Sequence, residues 1–199
     1  MDTNTTVIVV VLIVAVAVLL GIMLTRKRQS RHLRSHFGTE YDRAMDKTGD
    51  RKKAERELHA REKRVAKFEL RPLPPLDRSR YLATWTALQA TFVDDPASAV
   101  RNADDLLGEI MGARGYPMSD FEQRAADLSV DHPTVVQNYR AAHAIALKHQ
   151  HGDAGTEDLR QALIHYRGLF DELVNDDVAG GSSRTISSDR NTADHPPLH

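Results

Sequence analysis

Apolar residues are distributed along the chain in two different patterns, and the first is a continuous run. Residues 7–24 contain no charged side chain. At 1.5 Å per residue, such a run forms a helix of about 27 Å, close to the thickness of the hydrocarbon core of a bilayer. The run therefore predicts a transmembrane helix over residues 7–24, preceded by a short extracytoplasmic segment over residues 1–6.

The flanks of this run decide between a retained anchor and a cleaved signal peptide. A signal peptide has a basic N-terminal region and a cleavage site of small residues. Residues 1–6 contain no Lys or Arg, and residues 25–31 offer no such site. We therefore expect a single-pass protein of the plasma membrane. Because the basic flank follows the run, the positive-inside rule places the N-terminus outside and the C-terminal domain in the cytoplasm.

The second pattern is helical periodicity in the rest of the chain. Residues 25–69 are dense in charge and predict a basic juxtamembrane helical stalk, with Thr39 and Asp50 as N-caps and Gly49 as a helix end. The helix that begins after Asp50 has a narrow apolar stripe, so it is solvated, packs back on the domain or forms a weak coiled coil. Residues 70–76 contain three prolines and predict a stiff linker, with an SH3 ligand as the alternative.

Residues 77–174 predict a bundle of about five amphipathic helices joined by short connections. Residues 175–199 lack periodicity and are rich in Gly, Ser, Asp and Pro, so we expect a disordered tail. No stretch has the period of two that is typical of strands. The predicted fold class is all-α: one transmembrane helix, the stalk, a cytosolic helical bundle and the tail. The expected N-caps of the five helices are Asp77, Asp95, Ser119 (with Glu122 in a capping box), Asp131 and Thr156.

Charge is spread unevenly over a chain of 199 residues whose net charge is only −1. Between residues 94 and 160 there are twelve Asp and Glu against six Lys and Arg, whereas the region after the apolar run is basic. We expect the basic flank to contact anionic lipid headgroups. No nucleic-acid motif is present. With no cysteine, disulfide and thiol chemistry are excluded. The residues of the basic flank are Arg26, Lys27, Arg28, Arg31 and Arg34.

The densest group of polar residues lies between residues 120 and 143. Its acids, bases and histidines could form a pocket for a small ligand or an acid–base site. Each also has a structural explanation, as a helix cap, an ion-pair partner or a hydrogen-bonded core histidine. His143, His149 and His151 do not share the spacing of helical metal ligands, so no metal or cofactor is expected. The group comprises Asp120, Glu122, Arg124, Asp131, His132, Tyr139, Arg140 and His143.

Several longer segments resemble an uncharacterised family of small bacterial single-pass membrane proteins, which usually carry hypothetical or secreted labels. The segments are FVDDP over residues 92–96, RGYP over 114–117, DFEQRAADLSVDHP over 120–133, and those over 139–146 and 156–173. The resemblance covers about half of the chain. It implies a bacterial source and therefore a bacterial plasma membrane, and it carries no known activity.

Two functions follow from these patterns. The first is a membrane-anchored helical interaction or scaffold module that binds an unidentified protein partner. The alternative is a small-ligand or enzymatic pocket around Arg124, His132, Arg140 and His143. The motifs leave an enzymatic role open but favour a non-enzymatic one, and no catalytic residue is assigned. The oligomeric state does not follow from the sequence.

Overall fold

The structure, a computed structural model, describes residues 12, 20, 21, 23, 25 and 27–175. Within this part of the chain all regular structure is helical and no strand is present, which confirms the all-α prediction. Most connections are short, as expected for helices that pack against their neighbours along the chain. The helices are α1 (described over 27–37), α2 (Thr39–Thr48), α3 (Arg51–Val65), α4 (Pro75–Asp94), α5 (Pro96–Ala113), α6 (Phe121–Asp131), α7 (Val136–Gln150) and α8 (Thr156–Asn175).

The predicted transmembrane helix is corrected by the structure, and so is the predicted location in a plasma membrane with a cytoplasmic domain. Among the described residues, no helix is long and apolar enough to cross a bilayer. Of the two helices of 20 residues, α8 carries charged side chains along its length, and α4 carries them near both ends. Most of residues 7–24, on which the prediction rested, lies outside the described residues. So do residues 1–6 and residues 176–199 of the predicted tail.

The chain divides into two compact units, of which the first comprises Met1–Ala66 and Ala126–Thr134. Helices α1, α2 and α3 bury an apolar core, to which Val130 from the end of α6 is added. The core forms because each helix carries apolar residues at intervals of three or four, which places them on one side of the helix. Its buried side chains are Leu33, Phe37, Tyr41, Ala44, Ala54 and Leu58.

Local signals in the first unit set the ends of its helices. Gly49 ends α2 in the left-handed conformation, with φ of 63°, as predicted. Asp50 caps α3, because its side chain accepts a hydrogen bond of 2.8 Å from the backbone N–H of Lys53. The prediction for Thr39 was wrong, since Gly38 occupies the N-cap position of α2 without a side-chain hydrogen bond.

The second unit comprises Lys67–Ala125 and Val135–His199. Helix α5 packs against α4 and α8, and α8 packs against α7. The ring of Trp85 on α4 stacks on Phe170 of α8, with centroids 4.6 Å apart. The segment before α4 is fixed as well, because the backbone N–H of Arg71 donates to Arg114 at the end of α5. Other large buried side chains are Leu107, Ile110, Met111, Tyr139, Tyr166, Leu169 and Leu173.

Four of the predicted caps in the bundle need correction. Thr156 is the first residue of α8, and Gly155 before it accepts the hydrogen bond from the backbone N–H of Leu159. Asp77 lies in the first turn of α4, which begins at Pro75. Asp120, rather than Ser119, accepts a hydrogen bond from the backbone N–H of Gln123 at the start of α6. Asp131 is the last residue of α6, and α7 begins only at Val136. The prediction of Asp95 as the cap of α5, followed by Pro96, is confirmed.

Candidate functional site

Four helices of the second unit bring polar side chains together in its interior. Asp104 comes from α5, Arg124 from α6, Tyr139 from α7 and Tyr166 from α8. Both tyrosines are fully buried. The guanidinium Nη2 of Arg124 lies 3.6 Å from Oδ2 of Asp104, and the two tyrosine rings are 6.1 Å apart. We call these four residues the polar cluster.

A glycine in the middle of α5 lies directly against the polar cluster. A Cβ atom on Gly108 would lie 2.9 Å from Nη1 of Arg124, which is closer than side chains normally approach. The missing side chain therefore leaves room for the guanidinium to lie across α5 and reach Asp104, one turn away. A glycine inside a helix costs about 0.5–1 kcal/mol relative to alanine, and here it gives space to a charged side chain.

Burial dominates the electrostatics of the polar cluster. It raises the pKa of the Tyr139 and Tyr166 hydroxyls far above the usual value, and the negative charge of Asp104 adds to the shift. Both hydroxyls are therefore protonated at every physiological pH. Neither makes a direct hydrogen bond, and Oδ1 of Asp104 and Nε of Arg124 also have no hydrogen-bond partner in the described residues. Buried polar atoms of this kind are uncommon.

The polar cluster has one edge near the surface. The side chains of Asp104 and Arg124 are 22% and 16% exposed, whereas the tyrosine hydroxyls below them are closed off from solvent. A small molecule could therefore meet the carboxylate and the guanidinium first. Chemically the cluster offers both hydrogen-bond donors and acceptors around a charge pair that is neutral overall.

His143 and Phe121 pack beside the polar cluster. Their rings stack with centroids 3.5 Å apart and an interplanar angle of 8°. Burial lowers the pKa of His143 below 6.5, an effect that the charge of Asp104 opposes and that of Arg124 reinforces. The imidazole is therefore neutral at pH 7. This contact fixes the start of α6 against α7.

The residues predicted to share a pocket are only partly brought together. Asp120, Glu122, Arg124, Tyr139, Arg140 and His143 belong to the second unit, and Asp131 and His132 to the first. Glu122 pairs with Arg140 at 2.9 Å, as an ion pair rather than as half of a capping box. His132 is buried and Asp131 is exposed. Asp104 and Tyr166 were missed, although an acid in the apolar stripe of α5 is visible in the sequence.

The predicted lipid-contacting side chains lie on α1, apart from Arg26, which is outside the described residues. Lys27, Arg28, Arg31 and Arg34 are exposed. Arg31 and Arg34 line an open cleft of about 380 Å³ in the first unit. The cleft has mixed charge, because Asp42 and Asp46 also line it and Arg34 lies 3.8 Å from Asp42. No group of three metal-ligating side chains occurs among the described residues.

The second candidate surface is the outer face of α4. Three residues of this helix, Tyr81, Trp85 and Leu88, are buried, and most of the others are exposed. No charged residue occurs between Tyr81 and Val93. Leu82 and Val93 remain 46% and 82% exposed. We define the outer face of α4 by its exposed uncharged residues: Leu82, Ala83, Thr84, Thr86, Ala87, Gln89, Ala90, Thr91 and Val93.

Comparison of the chain with protein-family models, with curated proteins and with solved structures finds no match. The resemblance to small bacterial membrane proteins therefore stays a prediction, and the function has to be argued from the geometry.

Proposed function

We propose that the protein is a helical interaction module that binds another protein on the outer face of α4. The observation that supports this proposal is the lack of charge over more than three exposed turns of helix. A quarter or more of a typical soluble surface consists of charged residues, and 28% of this chain is charged. An exposed helix face without charge lacks Lys, Glu and Asp, which are also depleted at interfaces.

The packing of α4 supports the same proposal. The single buried stripe of α4 packs against other helices of the second unit, and Trp85 in this stripe stacks on Phe170. The outer face is therefore not needed for the fold. Leu82 and Val93 project from it as large apolar side chains, which gain free energy when a partner removes them from water.

Position-specific crosslinking in native cells tests the interaction module. A photoreactive amino acid replaces Ala83 on the outer face of α4 or, as the control, Gln150, which is exposed on α7. We expect a discrete protein adduct at position 83 and none at position 150. Equal labelling at both positions, or no adduct at position 83, would refute the proposal.

Binding of a small polar molecule is a second candidate function, favoured by the unpartnered atoms of the polar cluster. The cluster suits a neutral or zwitterionic molecule with both donors and acceptors. Free amino acids are suitable probes in thermal unfolding experiments. A rise in Tm that is lost in Tyr166→Phe but kept in Tyr41→Phe would support this function. If no free amino acid raises the Tm, this second function is refuted.

A further inference from the structure

We infer that the partner bound by the outer face of α4 is a second copy of this chain, with the two α4 helices antiparallel. This inference rests on the proposed function of α4 as a docking surface. It adds the identity of the partner and the orientation in which it binds.

The first observation is a stripe of exposed residues with the spacing of a two-stranded helix pair. Arg80, Ala83, Ala87, Ala90 and Asp94 follow one another at intervals of three and four residues, and all five are exposed. This heptad spacing keeps side chains on one side of a helix over many turns. The stripe is about 21 Å long. Its three alanines allow the backbones of two helices to approach closely.

The second observation is the charge at the two ends of the stripe. Arg80 and Asp94 each lie seven residues from Ala87, in opposite directions along α4. In an antiparallel pair with its two-fold axis at Ala87, Arg80 lies opposite Asp94 of the second copy, at both ends. In a parallel pair, like charges face each other. Since complementary charge determines orientation, the stripe favours the antiparallel pair.

Both end charges are available for these contacts. Asp94 makes no ion pair with any described residue. Arg80 pairs with Asp77 at 3.1 Å, and its guanidinium lies 4.8 Å from the centroid of the Tyr81 ring, but the side chains of Arg80 and Asp77 are 62% and 36% exposed. Such exposed pairs exchange partners easily, because water screens them.

A second copy matches this surface better than the other described helices do. The exposed residues of α5 include Arg101, Asp105 and Glu109, and α8 exposes both acids and bases. A fitting partner needs an uncharged helix face with a base at one end and an acid at the other, at the same separation. A second α4 supplies this. Because the contact is short, the dimer is weak and its population depends on concentration.

A single introduced cysteine tests the axis of this dimer. The full chain contains no cysteine, so Ala87→Cys provides one thiol per chain, placed on the two-fold axis. Ala144→Cys, exposed on α7, is the matched control. Under mild oxidation we expect a disulfide-linked dimer for Ala87→Cys and at least tenfold less for Ala144→Cys. Equal yields at both positions would overturn the inference.

Charge reversal tests the orientation. Arg80→Asp and Asp94→Arg should each weaken dimerisation of the full chain about tenfold in analytical ultracentrifugation, since each change creates two like-charge contacts. The double variant exchanges the charges and should restore the dimer. Far-ultraviolet circular dichroism checks that each variant is folded. Folded variants that all associate equally, or a double variant weaker than both single ones, would contradict the antiparallel pair.

The two proposals fail in different ways. If Ala87→Cys stays monomeric while the crosslinker at position 83 still forms an adduct with a different protein, the second copy is wrong and the interaction module stands. If neither experiment yields an adduct, both proposals fall.

Discussion

The carboxylate of Glu40 and the guanidinium of Arg61 lie 3.1 Å apart inside the first unit, where the Glu40 side chain is fully buried. Arg61 also donates to Ser129 and to Glu57, at 3.2 Å and 2.6 Å. One arginine therefore joins α2, α3 and the end of α6 through a buried network. Because two charges have been removed from water together, each depends on the other.

The first prediction concerns this pair. Glu40→Gln leaves the Arg61 cation buried without its closest buried counter-charge, so the free energy of unfolding should fall by about 3 kcal/mol. Urea unfolding monitored by circular dichroism measures the change. Glu57→Gln is the control on the same arginine, because Glu57 is 29% exposed and its pair is screened. Equal losses for both variants would contradict the assignment of Glu40 as the buried partner.

The second prediction separates backbone strain from steric overlap at two glycines. Gly115 and Gly152 have φ of 96° and 83°, so alanine at either position is strained by about 1–2 kcal/mol. At Gly115 a Cβ atom would also overlap the carbonyl oxygen of Glu69, whereas at Gly152 it would meet no atom within 4 Å. Gly115→Ala should therefore be less stable than Gly152→Ala by a further ~1–3 kcal/mol. Thermal unfolding compares them, and indistinguishable variants would refute the close backbone approach.

The third prediction uses Trp85, the only tryptophan of the chain. Phe170→Ala removes the ring that stacks on it and leaves a cavity, so the free energy of unfolding should fall by about 3–5 kcal/mol. The emission of Trp85 should shift to the red in the folded variant. Ile164→Ala is the control on the same helix, since Ile164 is 48% exposed and should cost much less. An unshifted spectrum would show that the two rings are not in contact.

The fourth prediction concerns His143, whose pKa in the folded state is below 6.5 because of burial. Between that lowered pKa and 6.5, the unfolded chain binds more protons than the folded one, so stability falls as the pH decreases through this window. Above pH 6.5 His143 does not change the dependence of stability on pH. The difference in the free energy of unfolding between the protein and its His143→Gln variant should therefore depend on pH only between the lowered pKa and 6.5. An NMR titration of His143 with a pKa above 6.5 would contradict the burial of its ring.

Signals confined to a few neighbouring residues were interpreted correctly from the sequence. Asp50, Gly49 and the Asp95–Pro96 pair act through backbone geometry within one helix turn, so no tertiary contact is needed to recognise them. Adjacent candidates were harder to separate. Ser119 and Asp120 can both cap α6, and Asp120 does so in the structure.

The candidate site depended on contacts that are distant in sequence. Asp104 and Tyr166 are 62 positions apart, and only the packing of α5 on α8 brings them beside Tyr139. Sequence spacing grouped His132 with Arg124, although they belong to different units. The lack of charge in α4 is visible in the sequence, but its significance depends on knowing which face is exposed. Periodicity alone does not show whether an apolar residue is buried.

The contact between Gly108 and Arg124 limits which substitutions this sequence tolerates. A larger residue at position 108 would push the guanidinium away from Asp104, and a shorter residue at position 124 would leave a cavity beside Gly108. Alanine at position 108 requires only a shift of the flexible end of the Arg124 side chain, whereas a shorter residue at position 124 also removes the ion-pair partner of Asp104. Homologous sequences with a bulky residue at position 108 are therefore expected to lack both Arg124 and Asp104 or to hold the guanidinium elsewhere.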